Sequence, residues 1–293
     1  MEAGQEDEGS DLLDFAATFA QLCEDERTVP LGEAGEEVVV RQDTGVGQGG
    51  AVWESALALI AWWRHAHAEH PLGQLLPQMS GGGGGSASSV QDSTDGAAAV
   101  STVVELGAGT GVAGLAIGAL LGRSRIVLTD LPPYLPLLRH NAALNAPLLR
   151  SRGSSVEVAS YRWGEAPPLL STTTAAAAAA SSSSSGGGPV GSYDLIVGSD
   201  LVYDAAKPGF DWRRNHQELV ASFNLLAHPA ASQRATTVVL AVERRRESGH
   251  FYDAFFGLLR ECGWHCDVRP FSIDERTDTL ILIIRRAPAA SAE

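Results

Sequence analysis

The sequence predicts an α/β fold: a mostly parallel sheet with helices on both faces and an antiparallel hairpin at one edge. Three observations lead there. Short, continuously apolar runs such as TVVEL (102–106), RIVLT (125–129) and YDLIVG (193–198) alternate with helical segments, the pattern of strands buried on both faces. A Gly-rich turn follows the first of these runs and opens a helix. The last two strand-like runs, 264–269 and 277–285, have no helix between them, so they pair as an edge hairpin.

Taken in order, EEVVVR (36–41) reads as a strand. Residues 51–70 read as an amphipathic helix, with Leu57, Ile60, Ala61 and Trp63 near helical spacing. After the strand at 102–106 comes a helix of small and aliphatic residues at 111–121. The strand at 125–129 is followed by a helix at 133–145, with Pro133 suited to its first turn. A weak strand at 155–159 precedes the strong one at 193–198. A helix at 213–226, the strand TTVVLAV (236–242) and a helix at 249–261 lead to the closing hairpin.

Two stretches interrupt this pattern, at about 79–99 (SGGGGGSASSV…) and 171–192 (…TTTAAAAAASSSSSGGG…). Gly/Ser tracts bury too little apolar area to offset their ordering entropy, so both read as flexible inserts. The domain map is an acidic, disordered arm at 1–35, one domain at 36–286 carrying the two inserts, and a tail at 287–293.

Charge is distributed unevenly. The chain has 293 residues and a net charge of −14. Residues 1–43 hold 13 of the 35 acids and only Arg27 and Arg41 as bases, so the domain itself is close to balanced. No basic footprint for nucleic acid is present. The acidic arm reads first as a solubilising segment, and second as an attractor of a basic protein. No apolar run reaches the ~18 residues of a membrane span, and the acidic start MEAGQEDEGSDLLDF lacks the regions of a Sec-type signal peptide. Three cysteines, Cys23, Cys262 and Cys266, cannot build a disulfide framework. A reduced compartment, cytoplasmic or nuclear, is expected.

Ligands of open α/β sheets bind at the carboxyl ends of the strands, and the informative residues stand there. Glu105-Leu106-Gly107-Ala108-Gly109-Thr110-Gly111 is a Gly-rich turn from strand to helix. Gly109-x-Gly111-x-x-Gly114 also satisfies the dinucleotide fingerprint. Against a dinucleotide, Glu105 places a carboxylate before the glycines, suited to an α-ammonium group rather than a pyrophosphate. The spacing Gly107-x-Gly109-x-Gly111 is typical of S-adenosyl-L-methionine sites. Asp130, closing RIVLT, can take ribose hydroxyls in either case, or cap the next helix. After YDLIVG come Ser199, Asp200 and, three positions on, Tyr203, where a substrate would meet a cofactor. Trp53 lies at the start of the first helix and Trp163 follows the weak strand at 155–159. Either ring can line a pocket or pack in the core.

Other candidates are weaker. Cys262, His265 and Cys266 suggest metal spacing, but His265 and Cys266 point opposite ways on a strand, and no second ligand pair stands nearby. No metal is expected. Arg244-Arg245-Arg246 reads as a solvated run or a substrate rim. Tyr203-x-x-x-Lys207 formally matches a dehydrogenase dyad, but Pro208 disfavours the helix it needs.

The ordered set is Val52-Trp53-Glu54-Ser55-Ala56, ELGAGTG (105–111), Thr129-Asp130-Leu131-Pro132, Asn141 and Asn145 in HNAALN, Trp163-Gly164, GSDLVY (198–203), and ER-x-R (243–246) before Phe255-Phe256. It resembles the seven-β-strand protein-lysine methyltransferases of methyltransferase family 16, over about 36–285 apart from the inserts. The resemblance implies a Rossmann-like, seven-stranded sheet and S-adenosyl-L-methionine as cofactor. It implies contacts to the methionine half from Trp53 and the loop Gly107, Ala108 and Gly109, beside the α-ammonium partner already read at Glu105. It further implies a ribose contact from Asp130, an adenine border from Trp163, and Ser199 in the cofactor pocket. Relatives often have alanine at Ser199, and many have aspartate at Glu54.

Asp200 and Tyr203, at the strand terminus where substrate would meet cofactor, are the expected catalytic residues. A substrate lysine, pKa ~10.4, must lose its proton before attack. Asp200 would hold the incoming ammonium, and Tyr203 would shape the mouth or hydrogen-bond the amine. The expected partner is a protein with an accessible lysine, methylated by a monomeric enzyme with no nucleic acid or membrane partner. The alternatives are an NAD-linked oxidoreductase and a catalytically silent scaffold.

Overall fold

The structure is a computed structural model, and it describes residues 24–32, 35–69, 100–167, 192–203, 209–229, 232, 234–244, 249–274 and 278–287. The expected insert at 79–99, nearly all of that at 171–192, and the tail from 288 lie outside the described residues, as do residues 1–23, Lys207, Arg245 and Arg246.

The chain opens with strands β1 (Glu26–Pro30) and β2 (Glu37–Arg41), paired antiparallel with Glu26 opposite Arg41 and Pro30 opposite Glu37. Helix α1 (Glu54–Glu69) follows. Then β3 (Ser101–Glu105), α2 (Val112–Leu121), β4 (Ser124–Asp130), α3 (Leu135–Ser151), β5 (Ser155–Ser160), β6 (Leu195–Ser199), α4 (Trp212–Leu226), β7 (Thr237–Glu243), α5 (Gly249–Glu261), β8 (Trp264–Phe271) and β9 (Thr279–Arg286) complete the described elements. Strands β3 to β9 form one seven-stranded sheet in the order β5-β4-β3-β6-β7-β9-β8. The pairs β3–β4, β4–β5, β3–β6 and β6–β7 are parallel. Strand β9 runs antiparallel to both β7 and β8, so the closing hairpin sits at the edge with its second strand inward.

The apolar runs are explained by two cores. Val103, Ile126, Leu128, Leu195, Val197, Val239, Ile281 and Ile283 face one side of the sheet, against Leu59 and Trp63 of α1 and the small residues of α2. Val104, Val127, Ile196, Val238, Leu240, Leu282 and Ile284 face the other, against Leu219 and Phe223 of α4, Phe255 and Leu259 of α5, and Trp264. Every second residue changes side, and both sides are covered.

Three boundaries differ from the sequence reading. The expected domain start at residue 36 falls inside the β1–β2 hairpin, so the acidic arm does not extend unbroken to residue 35. Val29 and Leu31 are buried there, and β1 is a structured part of the domain. Short alternation among charged neighbours concealed it. The third helix runs to Ser151 rather than stopping near Asn145, passing through Pro147. Leu149 beyond that proline is fully buried, and its burial offsets the missing backbone donor. The first helix begins at Glu54 rather than Ala51.

The strand order reverses between β3 and β6. Chain progression goes one way through β4 and β5 and the other through β7. That reversal leaves a crevice at the carboxyl ends, where ligands of such sheets bind.

Candidate active site

Three strands end on the residues that matter. Glu105 is the last residue of β3, Asp130 of β4 and Ser199 of β6. The turn after each carries the next group: Gly107–Gly109, then Leu131–Tyr134, then Asp200–Tyr203. The loop before α1 brings in Trp53 from outside the sheet. All ten sequence-predicted residues, Trp53, Glu105, Gly107, Ala108, Gly109, Asp130, Trp163, Ser199, Asp200 and Tyr203, line one cavity of about 440 Å³, within the ordinary range of small-molecule sites.

The glycine turn is knitted shut by its own neighbours. Gly109 adopts φ +55°, in the left-handed region. A Cβ there would stand 2.6 Å from the carbonyl oxygen of Gly49, so the backbone of the preceding loop lies directly on it. The Gly109 N–H donates to Asp130 Oδ2 at 2.7 Å. Ala108 N–H donates to the Thr129 carbonyl at 2.9 Å, and Gly111 N–H to the Ala108 carbonyl at 2.7 Å. The Gly114 N–H, in the first turn of α2, donates to Glu105 Oε2 at 2.9 Å.

The hydrogen-bond pattern discriminates between ligands. A pyrophosphate at a helix N-terminus needs free backbone N–H groups. Here the N–H groups of Ala108, Gly109, Gly111 and Gly114 are spent on two carboxyl groups and two carbonyls, and the place at the start of α2 is filled by the Glu105 carboxyl. The cavity lining includes four acids, Glu105, Asp130, Asp200 and Glu218, against one base, Arg162. Such a lining favours a cationic or neutral ligand over a dinucleotide diphosphate. Glycine backbone, acids and the rings of Trp53 and Trp163 make a donor set that fits S-adenosyl-L-methionine.

Glu105 differs from its sequence reading in one respect. Its carboxyl is 1% exposed and capped by Gly114, so its first role is to seal α2. Burial is the largest influence on it. The Gly114 N–H opposes that effect and the nearby Asp130 adds to it, and the carboxyl is pushed up to about 8. Asp130 is also raised, chiefly by burial, against the hydrogen bonds from Gly109 and Leu131. Its Oδ1 accepts from the Leu131 N–H at 2.6 Å. Each carboxylate oxygen keeps further lone-pair capacity.

Asp200 adopts φ +54° directly after β6, a conformation that aspartate tolerates better than most residues. Its N–H donates to the Ala241 carbonyl at 2.8 Å, which fixes the turn to β7. Tyr203 stacks on Phe210, with ring centroids 5.3 Å apart and planes 17° apart. Its hydroxyl is raised, mainly by burial and further by Tyr134, Asp200 and Asp130. Trp53 Nε1 donates to the Gln48 carbonyl at 2.9 Å.

Several lining residues were not singled out in the sequence: Gln48, Gly49, Tyr134, Tyr161, Asn215 and Glu218. Glu218 pairs with Arg214 at 2.7 Å, one helical turn earlier. Tyr134 follows Asp130 by four residues, and that proximity to a strand end was the available signal. Asn215 and Glu218 reach the cavity from the start of α4, and no local pattern marks them.

Of the weaker candidates, Arg244 forms a two-pronged pair with Asp278 at 2.8 and 2.9 Å on the surface. Among the described residues no three His, Cys, Asp or Glu side chains gather to hold a metal ion, and no helix is long and apolar enough to cross a membrane.

A family model described as lysine methyltransferase matches residues 33–177. Over those residues the chain is similar to the lysine methyltransferase family. The matched span holds Trp53, Glu105, the glycine turn, Asp130 and Trp163, and ends before Ser199, Asp200 and Tyr203. Protein N-lysine methyltransferase METTL21A of Danio rerio is 38% identical over 101 residues, 34% of this chain and 36% of that protein. EEF1A lysine methyltransferase 3 of Mus musculus is 28% identical over 166 residues, 57% of this chain and 54% of that protein. The chain thus spans only about a third to a half of these curated relatives. Among solved structures, the glycopeptide N-methyltransferase MtfA complexed with S-adenosyl-L-methionine aligns with TM-score 0.44 and 14% identity, covering 65% of this chain and 89% of that one. A methyltransferase from Pyrococcus furiosus aligns with TM-score 0.42 and 12% identity, covering 64% and 76%.

Proposed function

We propose that this chain is an S-adenosyl-L-methionine-dependent enzyme that methylates lysine side chains of a protein. The observation that carries the reading is the glycine turn itself. Its Gly109 N–H is occupied by Asp130 and the Gly114 N–H of the following helix by Glu105, inside a cavity rich in acids and bordered by Trp53 and Trp163.

In this reading Trp53, Glu105, Gly107, Ala108 and Gly109 hold the methionine half of the cofactor. Asp130 takes the ribose, Trp163 borders the adenine, and Ser199 lines the pocket between them. The bound cofactor supplies a methyl group activated by a positively charged sulfur. Asp200 receives the substrate ammonium by charge-assisted hydrogen bonding and aligns the nitrogen once its proton has gone, the geometric condition for in-line transfer. Tyr203, held neutral by burial, donates or accepts one hydrogen bond at the amine and walls the mouth with Phe210. Water carries the proton away. The enzyme acts as a monomer in the cytoplasm or nucleus.

Calorimetric titration with S-adenosyl-L-methionine and with NAD, followed by labelling of a hypomethylated proteome with radioactive cofactor and mass spectrometry, tests this reading. Binding of S-adenosyl-L-methionine and label on lysine are expected. Binding of NAD alone would make the protein an oxidoreductase, and binding of neither would make it a scaffold.

A further inference from the structure

The segment between β2 and α1 is a closed loop. Its base is joined by the Asp43 N–H donating to the Gly50 carbonyl at 2.8 Å. Inside it, short turns at Thr44–Val46 and Gln48–Gly50 are held by local bonds: Gly45 N–H to Asp43 Oδ1, Gly47 N–H to the Thr44 carbonyl, and Gly50 N–H to the Gly47 carbonyl. These bonds shape the loop but do not attach it to the domain.

Attachment comes from the cavity walls. One is the Trp53 indole, which donates to the Gln48 carbonyl. Another is the ring of Tyr134. A methyl group added at Gly49 would stand 2.9 Å from Tyr134 Cε1 and 3.0 Å from Cδ1, and one added at Gly47 would stand 3.0 Å from the Tyr134 hydroxyl oxygen. The ring therefore lies in contact with the backbone of 47–49. From elsewhere, the Gly49 carbonyl oxygen rests on Gly109 of the glycine turn. Tyr134 itself is placed by the turn that follows β4. Its N–H donates to the Leu131 carbonyl at 3.0 Å, Pro132 and Pro133 stiffen the path, and Asp130 stands at its start. Gln48, Gly49, Trp53, Gly109, Asp130 and Tyr134 all line the cavity.

We infer that Tyr134 is a positioning residue that latches the Gly47–Gly49 segment onto the glycine turn, closing the cofactor cavity and slowing cofactor release. The inference rests on the cofactor reading above. At Gly49 the ring occupies the space a Cβ would need, and at Gly47 it adds to a φ of +108° that itself calls for glycine. The latch shares its turn with Asp130, so the proposed ribose contact and the cover are positioned by one short, proline-stiffened segment. The lost contact in a truncated variant is one aromatic face against backbone, a local packing term.

The test compares wild type, Tyr134→Phe, Tyr134→Ala, Gly49→Ala and the double variant Gly49→Ala/Tyr134→Ala. Two quantities are read: amide hydrogen exchange over 44–50 without ligand, and the dissociation rate of S-adenosyl-L-methionine by stopped flow. Tyr134→Ala is expected to speed both by roughly tenfold, a packing-scale loss. Tyr134→Phe should keep the wild-type values. Gly49→Ala should act like Tyr134→Ala with the tyrosine still present, and the double variant should be no worse than Tyr134→Ala, the non-additivity of a shared contact. Unchanged exchange in Tyr134→Ala, faster exchange without faster release, failure of phenylalanine to restore both, or additive effects in the double variant would each overturn the latch. If wild type binds no S-adenosyl-L-methionine, the cofactor reading fails. The ligand-free exchange data still decide separately whether Tyr134 holds the segment.

Discussion

Asn141 pairs with the backbone of Arg41 as a neighbouring strand would. Its Oδ1 accepts from the Arg41 N–H at 2.9 Å, and its Nδ2 donates to the Arg41 carbonyl at 3.0 Å. One helical turn later, Asn145 does the same to Val39, at 3.1 and 2.7 Å. The two amides are four residues apart on α3, and their partners are two apart on β2. A helix face thus continues the hydrogen-bond ladder of a strand edge. Asn141 Nδ2 also donates to the Thr110 carbonyl in the glycine turn at 2.9 Å. The same side chain therefore ties the root of the 43–50 loop to the turn that this loop covers.

This arrangement predicts a cost for Asn141→Leu. The substitution takes a partner from the Arg41 N–H, the Arg41 carbonyl and the Thr110 carbonyl, and a buried unpaired polar group costs about 1–3 kcal/mol. Urea denaturation should show a loss of at least about 2 kcal/mol, with cofactor affinity falling as well. A loss below about 0.5 kcal/mol, the scale of an ordinary surface change, would show that water replaces the amide without penalty.

Asp130→Ala has two expected consequences. The carboxylate serves Gly109 and Leu131 already, so its removal loosens the turn and costs about 1–3 kcal/mol of stability. Loss of the proposed ribose contacts weakens S-adenosyl-L-methionine by about 1.5–3 kcal/mol. Calorimetric affinity and a denaturation curve separate the two. A variant that is less stable but binds cofactor normally would remove Asp130 from the ribose role and leave it as a turn residue.

Much of this was legible in the sequence, for a physical reason. Strands buried on both faces must be apolar throughout, so VVEL, RIVL and LIVG announced themselves. Glu105, Asp130 and Asp200 stood out because a carboxylate directly after such a run sits at a strand end. The spacing of Asn141 and Asn145 is readable as one helix face, but the strand facing them is about a hundred residues earlier, and no local signal names it. Tyr134 and Gln48 meet only because the loop folds back onto the glycine turn. Strand β1 was hidden because Val29 and Leu31 alternate with charged or turn-forming neighbours over too short a stretch.

Glu105 sets a pH dependence with a definite sign. An acid raised from 4.5 to about 8 by burial binds its proton more tightly folded than unfolded. Its contribution to stability is full below about pH 4.5 and is lost as pH rises toward 8, at up to about 1.4 kcal/mol per pH unit. Glu105→Gln keeps the shape and removes the titration. The stability of wild type relative to Glu105→Gln should therefore decline between pH 5 and pH 8, read from melting temperatures at matched pH. A constant difference across that range would mean that Glu105 is ionised throughout.

His216 should act in the opposite direction. It is 2% exposed between Trp212 and Phe255, neither ring nitrogen has a hydrogen-bond partner, and burial lowers it from 6.5 to about 4. Its contribution is present above about pH 6.5 and is lost as pH falls toward 4. His216→Phe, an apolar ring in an aromatic site, should flatten that loss and be neutral or stabilising at pH 7. A strong destabilisation at pH 7 would show that the imidazole has a polar partner, such as a buried water.

Asp200→Asn probes the proposed chemistry. Asparagine tolerates the φ of +54° that the turn after β6 imposes, so the variant keeps its backbone and the hydrogen bond from its N–H to Ala241. Cofactor affinity should be retained, because Asp130, Glu105 and the glycine turn are untouched. What is lost is one charge-assisted hydrogen bond to the incoming amine in a half-buried site, and transfer should slow roughly 10–100-fold. Raising the pH deprotonates more of the substrate lysine, but it does not restore the group that orients it, so little rescue is expected. Full recovery of rate at high pH would assign Asp200 to deprotonation alone. A drop in cofactor affinity as steep as the drop in rate would move Asp200 into the cofactor pocket, leaving Tyr203, stacked on Phe210 and held neutral by burial, as the remaining candidate to meet the lysine.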